Sequence, residues 1–237
     1  MNRILLMVLR NLGKLPGAYA KLCRYAKNAD DYPEAEMYGH IRYIMQLALN
    51  SGNVELQVTG LENLPEKDSF IFYPNHQGMF DIVALAATCP RPFGAVFKIE
   101  LRNVPVLKQF IACTKSFAMD RADVRQSLTV IQNVTREVES GRNYLIFPEG
   151  TRSKLGNEMV EFHGGSFRAA LKAKCPIVPI AFIDSFKVLD QKGSAPVKVQ
   201  MHYLKPIPFE EYGGLKTVEV AELVKARIAA AIAENLE

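Results

Sequence analysis

The sequence predicts an α/β fold, a single mixed, mostly parallel sheet flanked by helices and preceded by an N-terminal amphipathic helical hairpin. Three observations point there. From Val54 onward, short β-branched and aromatic runs alternate with helical ones, as in strands joined by crossover helices. The chain has 237 residues, 49% of them hydrophobic, enough for one sizeable core. Its first 29 residues hold Arg3, Arg10, Lys14, Lys21, Arg24 and Lys27 but no Asp or Glu, which sets them apart from the rest. Residues 1–52 are therefore expected to form N-terminal helices that associate with a membrane, and 53–237 an α/β domain.

In a helical projection Arg3, Arg10, Lys14 and Lys21 share one stripe, with Arg24 beside it and Ile4, Leu5, Val8, Leu9, Leu12 and Leu15 on the flanks. This is the pattern of an interfacial helix, which Pro16-Gly17 is expected to kink or split. A helix packed on the domain with a solvated basic face is the alternative. At ~1 kcal/mol per basic residue near an anionic surface, the group would supply several kcal/mol before salt screening, enough for reversible docking. A second helix, at about 33–50, is expected to pair with the first.

Strands are predicted at 55–59, 69–73, 94–97, 116–119, 144–147, 177–182 and 197–204. Helices are predicted at 79–88, 104–112, 123–140, 166–173 and 218–234. The helix at 123–140 is the best marked, with Asp123 as N-cap, Gln126 three residues on as in a capping box, and Gly141 as terminator. The apolar run 4–9 is short and ends at Arg10, unlike a signal peptide. The charge-free stretches 43–54 and 69–80 hold 12 residues each, where a span needs ~20 mostly apolar ones. The expected location is thus the cytoplasmic face of the cell membrane, peripheral or monotopic, with anionic lipid as partner and no nucleic acid. Cys23, Cys89, Cys113 and Cys175 stand far apart without a C-x-x-C pair, so neither a metal site nor a disulfide framework is expected.

Two polar clusters follow predicted strands, at ends where open α/β sheets place their sites. The first is Pro74-Asn75-His76-Gln77-Gly78-Met79-Phe80-Asp81. On one straight helix His76 and Asp81 would point about 140° apart, so they meet only if His76 lies in the loop and Asp81 in the helix's opening turn. Met in that way, the carboxylate would fix the imidazole tautomer and leave the other nitrogen free as a base. The alternative is a loop histidine beside a helix-capping aspartate. The second cluster, Phe147-Pro148-Glu149-Gly150-Thr151-Arg152-Ser153, reads as a tight turn presenting an arginine between two hydroxyls, a grip for phosphate. A surface turn with a local Glu149–Arg152 ion pair is the alternative there.

Taken together, these clusters resemble the glycerolipid acyltransferases that make phosphatidate from lysophosphatidate (1-acylglycerol-3-phosphate acyltransferases), over about 55–204. Asn75-His76 with Asp81 matches that family's first motif, Phe117-Ala118-Met119-Asp120-Arg121 is similar to the second, Phe147 to Ser153 matches the third, and Pro176-Ile177-Val178-Pro179-Ile180 is similar to the fourth. The resemblance implies a fatty acyl transfer from acyl carrier protein or acyl-CoA to the sn-2 hydroxyl of 1-acylglycerol-3-phosphate, with no bound cofactor. It implies His76 as general base, Asp81 as its orienter, and Asn75, Lys98, Arg121, Glu149, Gly150, Thr151, Arg152 and Ser153 at the substrate. Many relatives read Phe-Lys-Lys-Gly after the third motif where this chain has Phe162-His163-Gly164-Gly165, which leaves the role of His163 open.

The chemistry is compatible with that expectation. A thioester is already activated, so a deprotonated hydroxyl attacks it directly and no protein nucleophile is needed. Gly164-Gly165-Ser166-Phe167-Arg168 lacks the closing glycine of a nucleophile elbow. The Gly150 turn is a candidate source of oxyanion donors. Two other classes fit parts of the pattern. A lipid ester hydrolase would need a serine elbow or a metal, and a non-catalytic lipid-binding module would leave the His-Asp pair without a purpose. Another lysophospholipid is an alternative acceptor.

Overall fold

The computed structural model describes residues 2–236; Met1 and Glu237, the outer ends of the two predicted segments, lie outside the described residues. Seven strands form one sheet: β1 (Val54–Thr59), β2 (Ile71–Pro74), β3 (Phe93–Lys98), β4 (Phe117–Met119), β5 (Asn143–Leu145), β6 (Ile177–Ile183) and β7 (Val197–Tyr203). Their order is β1-β7-β6-β2-β5-β3-β4. Every neighbouring pair is parallel except β6 with β7, so the sheet is mixed and mostly parallel as expected. Strands β2 and β6 are buried along their whole length, as continuous apolar runs covered on both faces must be. At the edge, β1 alternates, turning Glu55, Gln57 and Thr59 to solvent.

Ten α-helices among the described residues complete the fold: α1 (Arg3–Arg10), α2 (Leu15–Lys27), α3 (Glu34–Ser51), α4 (Phe80–Thr88), α5 (Leu107–Cys113), α6 (Val124–Glu139), α7 (Arg168–Ala173), α8 (Phe186–Leu189), α9 (Phe209–Tyr212) and α10 (Thr217–Asn235). Strand alternation divides the core. Phe70, Phe72, Ile180 and Phe182 face α1–α5, while Ile71, Tyr73, Ala181 and Ile183 face α6, α7 and α10. The short helices α8 and α9 have no predicted counterpart, because four residues carry too little periodicity to register.

Around α6, Asp123 caps the N-terminus by accepting from the amides of Arg125 and Gln126 (2.9 and 3.0 Å), and Gly141 ends the helix at φ +99°. The expected capping box does not close. The Gln126 amide instead reaches past the cap, accepting from Asp120 N (2.9 Å) and donating to Ala118 O (2.9 Å), and so pins the end of β4 next to Arg121.

The N-terminal helix corrects the basic-stripe expectation. Its break falls at residues 11–14, ahead of Pro16-Gly17, and Pro16 sits in the first turn of α2, where its missing N–H costs nothing. Arg3 is 4% exposed and donates to the carbonyls of Val188 (2.8 Å), Gly52 (2.6 Å), Asn53 (3.3 Å) and Ala195 (2.8 Å). Arg10 donates to Ser51 O and Asn53 Oδ1 (3.0 and 2.6 Å). These arginines hold the helix to the body of the protein, and Ile4, Leu5, Val8, Leu9 and Leu12 are left exposed, by 39–58%. Lys14, Lys21, Arg24 and Lys27 remain at the surface of the next helix and its approach.

Candidate active site

Strands β2, β3, β4, β5 and β6 run the same way, so the residues that follow them gather at one edge of the sheet. Pro74 ends β2, and its loop delivers His76 while α4 begins with Asp81 in its first turn. The loop-and-helix arrangement is the one in which the two side chains can meet, and His76 Nδ1 lies 2.8 Å from Asp81 Oδ2. The His76 ring stacks on Phe147, with centroids 3.9 Å apart and planes 26° apart. Nδ1 is thereby engaged, and Nε2 carries no hydrogen bond among the described residues, on a side chain 20% exposed.

Asp81 is fully buried and saturated with donors, as a buried carboxylate must be. Its Oδ2 also accepts from the amides of Gln77 (2.8 Å) and Gly78 (3.1 Å), and its Oδ1 accepts from the Ser185 hydroxyl. Ser185 follows β6 and also donates from N to Gln77 Oε1 (2.9 Å), an oxygen that lies 3.1 Å from the same hydroxyl. Gln77 Nε2 donates to Asn157 Oδ1 (2.8 Å), which also accepts from Asp184 N (2.8 Å). The carboxylate that orients the imidazole is thus clamped by three loops.

The loop after β5 meets the His76 loop directly. Ser153 N donates to His76 O (2.9 Å), and His76 N donates to Glu149 Oε1 (2.6 Å), while Glu149 Oε2 accepts from Val160 N (3.0 Å). Glu149 is 1% exposed, and burial raises its pKa above the ordinary carboxylate value against the pull of those two amides. The local Glu149–Arg152 pair considered from the sequence is absent: Glu149 braces the two loops from below, and Arg152 pairs with Asp190. Asn75 is equally committed, with Nδ2 donating to Phe182 O (2.9 Å) and Oδ1 accepting from Phe182 N (2.7 Å). Asn75 and Glu149 therefore hold the edge together and offer no free polar atom outward.

Gly150 turns at φ +67°, where a side chain is strained. A Cβ there would lie 3.2 Å from His163 Cδ2 and 3.8 Å from Arg121 Cζ, which brings both basic residues to this turn. Partial burial lowers the Arg121 pKa from its ordinary value, opposed by the charge of Glu100. Lys98, at the end of β3, is exposed and pairs with Glu100 at 2.7 Å. Thr151 and Arg152 face outward, Thr151 exposed and Arg152 partly so. The Gly150 amide is taken by Phe147 O (3.1 Å), whereas those of Thr151 and Arg152 carry no hydrogen bond among the described residues. Sequence reasoning missed Gln77, Asn157, Ser185 and Asp190. Their side-chain partners lie 27 to 111 residues away, and none forms a local pattern.

The arrangement can do base chemistry: an oriented imidazole with one open nitrogen, beside a loop that carries Arg152 and the Gly150 turn to which Arg121 and His163 come close. The Acyltransferase family model matches residues 55–183, from β1 to the end of β6, and takes in every motif residue above. The chain is similar to the 1-acyl-sn-glycerol-3-phosphate acyltransferase of Saccharomyces cerevisiae, at 30% identity over 77% of this chain and 60% of that protein. It is also similar to the enzyme of the same name from Salmonella typhimurium, at 32% identity over 69% of this chain and 67% of that one. The match thus spans about 60% of the length of the yeast relative. In fold it resembles the crystal structure of the 1-acyl-sn-glycerophosphate (LPA) acyltransferase from Thermotoga maritima, with a TM-score of 0.76, 20% identity, and coverage of 98% of this chain and 97% of that one.

Proposed function

The chain belongs to the Acyltransferase family, and on that premise we propose that it transfers a fatty acyl group from acyl carrier protein or acyl-CoA to the sn-2 hydroxyl of 1-acylglycerol-3-phosphate, giving phosphatidate. The observation that carries this reading is the 2.8 Å contact of His76 Nδ1 with Asp81, which leaves Nε2 open. Asp81 accepts from Nδ1–H and fixes the tautomer, so Nε2 takes the proton of the acceptor hydroxyl as that oxygen attacks the thioester carbonyl. Collapse of the tetrahedral intermediate expels the thiolate, which recovers the proton from the imidazolium. No covalent acyl-enzyme forms. Arg152, Arg121 and Lys98 supply charge for the acceptor phosphate, and the amides of Thr151 and Arg152 are the donors available to the oxyanion.

The names of the yeast and Salmonella relatives support lysophosphatidate as the acceptor. The purified protein, incubated with 1-acylglycerol-3-phosphate and each donor in turn, is expected to form phosphatidate. Release of free fatty acid with the acceptor unconsumed would instead make it a hydrolase.

Docking on the cytoplasmic face of a membrane belongs to the same proposal. No helix among the described residues is long and apolar enough to cross a bilayer, and the exposed face of α1 with Leu12 just after it offers five apolar side chains to a lipid surface. Fully burying such a side chain gives roughly 1.5–3 kcal/mol, while a basic residue near anionic lipid gives ~1 kcal/mol. Even half-buried, the apolar face outweighs the lysines beside it. Apolar insertion therefore leads and charge assists.

A further inference from the structure

Asp190 stands outside every motif and beyond the span that matches the family, yet it touches both halves of the site. It caps the C-terminus of α8. Its Oδ1 accepts from Arg152 Nη1, and its Oδ2 accepts from Met79 N at 2.9 Å. Met79 is the N-cap of α4, three residues after His76. The close approach requires the glycine beside it: a Cβ on Gly78 would lie 2.5 Å from Asp190 Oδ2 and 3.1 Å from Phe186 Cα. One carboxylate thus links the guanidinium of the third motif to the backbone of the first.

We propose that Asp190 is a positioning residue of the acyl-transfer site, whose carboxylate ties Arg152 to the Met79 amide and so holds the phosphate-binding group in register with His76. This rests on the reading of lysophosphatidate as acceptor. The physical reason is the length and exposure of Arg152, whose side chain is 38% exposed. An untethered arginine there samples many rotamers, and phosphate binding would have to restrict them. Asp190 engages one nitrogen of the guanidinium and leaves its remaining donors for a forked grip on phosphate. A carboxylate that merely competed with phosphate would have the opposite effect on affinity, which makes the sign of the change decisive.

The test compares acceptor KM for Asp190→Asn made in the wild-type protein and in Arg152→Ala. Asparagine keeps a carbonyl oxygen for Met79 N–H and loses the ionic tie, so the start of α4 is preserved. The expected result is an acceptor KM raised roughly three- to tenfold with Arg152 present, the range for releasing one long side chain. Donor KM and thermal midpoint should stay unchanged, and in Arg152→Ala the second substitution should add nothing. An acceptor KM that is unchanged or lowered, or that rises equally in both backgrounds, overturns the proposal. Wild-type protein that fails to turn over lysophosphatidate overturns the parent reading and this inference with it. Normal wild-type turnover with an unresponsive Asp190→Asn variant overturns the inference alone.

Discussion

Arg3 and Arg152 mark two regions that use the same side chain for opposite ends. Arg3 points inward, 4% exposed, and satisfies carbonyls from three separate segments, so its charge works as a structural pin and the helix it anchors turns apolar side chains to solvent. Arg152 points outward, tied by one nitrogen to Asp190, from a turn whose buried members, Glu149 and Ser153, do the anchoring. The difference teaches that residue type and spacing define what a group can bind. Burial of the backbone around it decides whether it binds the protein or something else.

The largest effect expected on this contrast comes from the open imidazole. His76→Ala should lower kcat roughly 10²- to 10⁴-fold, the usual worth of a general base, in a protein that stays folded although the buried Asp81 loses a donor; retention of most of the acyl-transfer rate would remove the base from the mechanism. Next is the inward arginine. Arg3→Met leaves buried carbonyls without a charged donor and should destabilise the fold by about 2–4 kcal/mol, read by denaturant unfolding, while kcat of the remaining folded protein is retained. A loss of activity at full stability would instead assign Arg3 to the site.

Arg152→Ala sharpens the comparison from the other side. It should raise acceptor KM roughly 10- to 100-fold, the value of a charged hydrogen-bonding contact, with donor KM and unfolding midpoint held. A smaller effect is expected at the outward face of α1, where Leu5→Ser with Leu9→Ser should weaken binding to vesicles of neutral and anionic lipid about tenfold or more by removing apolar area. Smallest is Lys14→Ala with Lys21→Ala, which should reduce binding only a few-fold and only at low salt. Were the lysine pair to matter more than the leucine pair, the face presented to lipid would be the basic one after all.

Much of the fold was legible. Short β-branched and aromatic runs located all seven strands to within a residue or two, because strand-forming residue types cluster in neighbouring positions, and Asp123 with Gly141 marked the ends of α6. The His76 and Asp81 pairing was legible as a condition, loop against opening turn, that the structure meets. Two readings failed for one reason. Gln126 had the spacing of a capping box yet serves β4, and the basic stripe starting in α1 had the spacing of a membrane-facing surface yet turns inward at Arg3 and bonds back to the protein from the exposed Arg10. In each case the local pattern specifies an amphipathic or hydrogen-bonding side chain without naming its partner.

By itself, then, the sequence determined which residues are candidates to carry chemistry and which segments become strands and helices, since those follow from residue type and short spacing. Only the tertiary structure decided what each polar group faces. Ser185 under Asp81, Asp190 between Met79 and Arg152, and Gly52 over Arg3 are meetings between residues far apart along the chain. They come about because packing the sheet brings distant loops to one edge and leaves their buried polar groups to find partners there.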